Sequence, residues 1–203
     1  MQSCPAVNGF ERKVIELLAP FSFQMRCTAN RTGGYDFHVI EAGTRLDFEL
    51  MPSLVSVMPR EIWRSPDRPV VQIALPHIFV SDDELYLTQM QAWASSDAIR
   101  LPGMLIGGRF PAHIWPRSLN LAFEWSDLAT DFKMKRGQPI CYLFAETKHF
   151  GSKIELFEGE MTAELSSYLS KISDVVKYTS GSFNLFERAQ EVRPRTLVTE
   201  LVK

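Results

Sequence analysis

Residues 116–147 read PRSLNLAFEWSDLATDFKMKRGQPICYLFAET, and their periodicity decides the fold class. Leu119, Leu121, Phe123 and Trp125 alternate with Asn120, Ala122 and Glu124, the two-residue period of a strand with one face in a core and the other in water. Phe132 and Met134 repeat the alternation. Gly137 then breaks the run, Pro139 returns the chain to an extended path, and residues 140–145 form a nearly continuous apolar strand of the fully buried kind. The pattern predicts a β-hairpin with Gly137 at a left-handed turn position. No side chain in it is an evident catalyst, so it speaks to architecture and leaves the chemistry open.

The same period appears upstream. Phe21, Phe23, Met25 and Cys27 alternate with polar residues up to the turn-forming Asn30-Arg31-Thr32-Gly33-Gly34, and Tyr35, Phe37 and Val39 continue after it. Leu46, Phe48 and Leu50 make a third strand plausible, after a short leader and in an antiparallel meander. Pro52, Pro59, Pro66 and Pro69 exclude a long helix between them, and residues 70–75 read as a central strand. Over 81–100 the reading favours a helix, because Ser81 and Glu84 have capping-box spacing, although Leu85 and Leu87 alternate like a strand. Met104, Leu105 and Ile106 read as a short buried strand between glycines and prolines.

The last quarter of the chain changes period. Met161, Leu165, Tyr168, Leu169, Ile172, Val175 and Val176 share one face at helical spacing, with acidic residues near the start and Lys171 and Lys177 near the end, as the helix dipole favours. A second short helix spans about 185–192 and stops before Pro194. The expected fold is mainly β, a jelly roll or β-sandwich over 1–157, with 158–203 as an amphipathic helical cover packed on an open sheet face, all one domain. A homo-oligomer contact through the C-terminal helix is the alternative use of its apolar stripe.

Composition narrows the partners. A formal charge of −2 and 23% charged residues give no global attraction for phosphate backbones or anionic lipid. Cys4, Cys27 and Cys141 are odd in number and widely spaced, against a disulfide framework or a thiolate zinc site. With neither a secretory start nor an apolar run long enough to span a bilayer, the expected location is the cytoplasm.

The run Phe132-Lys133-Met134-Lys135-Arg136-Gly137-Gln138-Pro139-Ile140-Cys141-Tyr142-Leu143 resembles the closing strands of the deoxyuridine triphosphatase and deoxycytidine triphosphate deaminase families, and Arg117-Ser118 echoes their Arg-Ser-Ser motif. The resemblance implies a jelly-roll-like subunit. It carries no counterpart of those families' catalytic Asp or Glu motifs, so it implies architecture and no activity. The succession Pro102-Gly103, Gly107-Gly108-Arg109-Phe110, Trp115-Pro116-Arg117, Phe123-Glu124 and Arg136-Gly137-Gln138-Pro139 is similar to an uncharacterised bacteriophage-associated family.

The densest set of binding-type side chains is Arg109, His113, Trp115 and Arg117, in a loop punctuated by Gly and Pro. Guanidinium groups pair with carboxylate or phosphate and an indole offers a stacking face, so the sharp expectation is capture of a small anionic ligand such as a nucleotide. The bland one is that the arginines neutralise Glu124, Asp127 and Asp131 while Trp115 plugs a barrel end. His77 with Asp82, Asp83 and Glu84, or Asp36 with His38, offers poor ligand spacing, so no metal and no cofactor is expected. Cys141 inside the buried strand reads as inert, and no P-loop, dinucleotide fingerprint or nucleophile elbow is present. The reading is a binding or interaction protein. The alternatives are an enzyme on the same frame, either a nucleotide hydrolase or metal-dependent, and a structural virion or assembly subunit.

Overall fold

The alternating run is a strand, and its apolar members Leu119, Leu121, Phe123 and Trp125 are all buried; the other face is not in water throughout, because this is an inner strand of its sheet and Glu124 is buried as well. The computed structural model describes residues 4–42, 51–149, 151–178 and 182–201. In chain order these form α1 (Pro5–Glu11), β1 (Val14–Leu18), β2 (Phe23–Ala29), β3 (Tyr35–Ala42), α2 (Met51–Leu54), β4 (Val55–Val57), β5 (Val70–Ile78), β6 (Leu85–Met90), β7 (Gly103–Leu105), β8 (Arg109–Pro111), β9 (Ser118–Trp125), β10 (Phe132–Met134), β11 (Pro139–Thr147), α3 (Ala163–Tyr178) and α4 (Ser182–Glu191). The protein is mainly β. Its strands make three antiparallel sheets, ordered β1-β11-β6-β8, β10-β2-β3 and β4-β5-β9-β7.

The predicted strands of 116–147 are present, but their pairing is not a hairpin. β9, β10 and β11 enter three different sheets. The turn itself is real: Gln138 N–H donates to the Lys135 carbonyl at 3.0 Å and Gly137 has φ +82°. What it joins is half of a longer ladder. Leu17 lies opposite Cys141, Leu18 opposite Pro139, and Phe23 opposite Met134. Between those pairs Ala19 donates to the Gln138 carbonyl and accepts from Gly137 N–H, both at 2.8 Å. Residues 14–25 and 132–144 therefore bend together from one sheet into the next, and β10 and β11 have their edges occupied by β2 and β1 rather than by each other. A Cβ at Gly137 would meet nothing within 4 Å, so only backbone conformation resists substitution there. Gly137→Val is expected to destabilise by about 1–3 kcal/mol in urea unfolding, and an unchanged midpoint would contradict the left-handed turn.

Aromatic side chains close the space between sheets. Phe132 of β10 stacks on Phe123 of β9 at 5.2 Å and touches Phe23 of β2 at 6.0 Å, while Phe37 of β3 meets the edge of Trp125 at 5.9 Å. β2 and β3 form the meander expected around Asn30–Gly34, with Gly33 at φ +77°. Its third strand, 46–50, lies outside the described residues. Residues 70–75 are in the central strand β5, as expected.

Two expectations are corrected. Residues 81–100 carry strand β6 and no helix: Ser81 Oγ donates to the Asp83 carbonyl in a local turn, and the alternation of Leu85 and Leu87 prevails because β11 offers a partner edge from Leu85 to Met90. The segment at 104–106 is edge strand β7, with Met104 52% exposed instead of buried. The leader is ordered as α1 and β1, and β1 was hidden because its five residues are too few to show a period.

The C-terminal stripe is real. Leu165, Tyr168 and Ile172 are buried, whereas Met161 precedes the helix and is exposed; the side chains of Val175 and Val176 lie outside the described residues. Helices α3 and α4 pack against the loop that carries Ile114 and Trp115. They build a second hydrophobic cluster with Trp115, Leu197 and the partly buried Val80. Those stripe residues face inward, so an oligomer contact would have to use another part of the helix. Among the described residues no helix is long and apolar enough to cross a membrane.

Candidate functional site

The four residues singled out from the sequence fall in three places. Arg109 lies on β8, where strand alternation sends it to the opposite face from Phe110. Its guanidinium sits 3.8 Å over the Tyr86 ring, and its Nε donates to both Glu146 carboxylate oxygens at 3.2 Å. The Thr88 hydroxyl donates to the same carboxylate at 2.6 Å and, with Arg109, holds it below the usual carboxylate range. Arg109 is thus a partnered surface cation. Its partner is Glu146, and Glu124 and Asp131 are paired instead with Arg64 and Arg26.

His113 is a structural pin. Its Nδ1 lies 3.2 Å from Leu85 N and 3.0 Å from Leu85 O, donating or accepting according to tautomer, and the ring stands edge-on to Tyr86. The His113 carbonyl accepts from Arg193. Trp115 is buried against Phe186 of α4 at 5.8 Å, so it plugs the space under the helices rather than a barrel end.

Arg117 differs. It is exposed, and among the described residues nothing pairs with it. It borders a groove of about 290 Å³ between β6 and β8 on one side and the start of β9 on the other, with α4 as a wall. Phe110, Trp115 and Phe186 supply aromatic surface, and Gln89 supplies a buried polar side chain. Gln89 Nε2 donates to the Asn120 carbonyl at 3.2 Å and approaches Cys141 Sγ at 3.5 Å. A carbonyl only accepts, which fixes the amide so that Oε1 is its free end; no described group donates to it. The groove thus combines an unpaired cation, aromatic walls and a free amide acceptor. Arg109 is outside it.

Sequence reasoning missed Gln89, Leu185 and Phe186. The signal for Gln89 was present: in a strand it takes the inward position after Leu85 and Leu87, and a polar residue at a buried position is informative. Preferring a helix there removed it.

A roomier cavity of about 680 Å³ opens where the 79–84 loop meets residues 147–149 and 152–157. Its rim carries Asp83, Glu84 and Glu155 against Lys148 and Lys153, so it has no excess of positive charge. Asp82 there is spent on structure, accepting from the backbone N–H of Leu197 and Val198 and from Arg193. Burial pushes the thiols of Cys27 and Cys141 up to about 11, which leaves both protonated at neutral pH. Among the described residues no three His, Cys, Asp or Glu side chains group as a metal site would require. No family model, curated protein or solved structure matches this chain.

Proposed function

We propose that the protein is a binding protein that captures a small anion with a planar base, of the nucleoside monophosphate class, in the groove beside α4 on a jelly-roll or sandwich-like frame. The observation that carries this reading is the unpaired Arg117 guanidinium at the mouth of an aromatic-lined groove. A guanidinium binds a phosphate through parallel hydrogen bonds, and a heterocycle gains both burial and ring contacts between Phe110 and Phe186. Gln89 Oε1 accepts from a ring N–H or exocyclic amine. The volume lies at the small end of ligand pockets, ~300–1,000 Å³, which favours one base and one phosphate over a triphosphate. Among the described residues no carboxylate, His, Cys or Lys lines the groove, and the reading is therefore of capture rather than hydrolysis.

Calorimetry with AMP, CMP and inorganic phosphate tests this reading. Arg117→Ala is expected to weaken nucleotide binding by about tenfold or more with little change in melting temperature, since an exposed, unpaired arginine contributes little to folding. Arg109→Ala should leave affinity unchanged. Wild-type protein that binds none of these ligands, or a loss that follows Arg109 instead of Arg117, would contradict it.

A further inference from the structure

We propose that the outer face of the β1-β11-β6-β8 sheet carries a second site, for an uncharged sugar chain, with Trp93 as its stacking platform. Trp93 follows β6 and is 67% exposed, an unusual placement for the largest apolar side chain. It is not loose. Phe10 of α1 lies 5.7 Å from its ring centre and Tyr142 of β11 stands edge-on at 6.3 Å, while Phe10 is itself stacked on Phe144 at 5.6 Å. Its backbone N–H is tied to the Gln91 carbonyl at 2.8 Å. The indole is therefore held in position by neighbouring rings while most of it stays in water, which lowers the ordering cost when a ligand settles on it.

The surroundings select the ligand. Glu16 of β1 lies opposite Tyr142 in the strand pair; it is exposed, and among the described residues nothing pairs with it. Gln91 is exposed beside the indole in sequence. A pyranose ring presents a flat C–H face to an aromatic ring and a rim of hydroxyl donors, which a carboxylate and an amide accept. A phosphate-bearing strand would also stack, but it needs unpaired cations. Arg109 on this sheet face is neutralised by Glu146, and Arg12, exposed just beyond Phe10, is offset by the exposed Glu11 and Glu16, so the platform carries no excess of positive charge. The platform and the Arg117 groove lie on opposite sides of the sheet: Met90 and Tyr142 point outward where Gln89 and Phe110 line the groove.

Calorimetric titration with cellohexaose and with maltohexaose tests the proposal. Wild-type protein is expected to bind at least one of them, and Trp93→Ala to weaken that binding about tenfold or more. Trp93→Leu keeps apolar bulk against Phe10 but removes the flat ring, so it should show the same loss with the fold intact by circular dichroism. Arg117→Ala should bind the sugar as wild type does, which separates this site from the groove. The proposal is overturned if wild-type protein binds neither sugar at ~5 mM, if both Trp93 variants bind as tightly as wild type, or if sedimentation shows a Trp93-dependent dimer, which would make the platform a contact between two copies of the chain.

Discussion

Replacing Trp125 by alanine is expected to remove about 3–5 kcal/mol of stability, enough to unfold a typical domain at moderate temperature. The side chain is fully buried at the end of β9, and its ring touches Phe37 from one neighbouring sheet and Phe123 from its own strand. Its Nε1–H donates to the Asp127 carbonyl at 3.0 Å, holding the loop that leads to β10. Truncation therefore opens a cavity where two sheets meet and releases the loop that this bond holds. Urea unfolding measures the loss directly. A change below about 1 kcal/mol would mean that the sheets are not joined through this aromatic contact.

Tyr168→Ala is expected to cost a similar ~3–5 kcal/mol, by a different route. Tyr168 is buried in the helical cluster, and its hydroxyl lies 2.7 Å from the Ile114 carbonyl and 3.0 Å from the Ala189 carbonyl, its one hydrogen shared between them. It ties the loop carrying Trp115 to both α3 and α4. Burial pushes the phenol up to about 12, so it remains a donor throughout the physiological range. Tyr168→Phe keeps the ring and loses only the hydrogen bond, for about 1–2 kcal/mol. Because Trp115 and Phe186 are groove walls, the alanine variant should also weaken nucleotide binding, and the phenylalanine variant much less. Equal losses of stability in the two variants would assign the whole effect to the hydroxyl and none to packing.

Strand positions were legible wherever one face of a strand is wet. In β2 and β3 polar residues separate the apolar ones; in β9 Asn120 and Glu124 mark the period between Leu119, Leu121, Phe123 and Trp125, even though Glu124 is itself buried. Pairing was not legible. The turn at Gly137 has the chemistry of a hairpin turn, but nothing local records that residues 14–25 take the edges of both β10 and β11. β1 shows only five residues, and the contact that decides the topology spans more than 110 positions. The candidate site was half legible for the same reason. Arg117 and Trp115 belong to a recognisable loop, whereas Gln89 and Phe186 reach the groove from strand β6 and helix α4, distant in sequence. Arg109 and His113 looked like binding groups because the partners that occupy them, Glu146 and Leu85, lie 37 and 28 residues away.

The most direct measurement is a crystal structure of the protein soaked with AMP. The account predicts phosphate oxygens ~2.7–2.9 Å from the Arg117 guanidinium, the base between Phe110 and Phe186, and a base N–H directed at Gln89 Oε1. A nucleotide found instead in the 680 Å³ cavity beside Lys148 and Lys153, or on Arg109 at the outer sheet face, would contradict it.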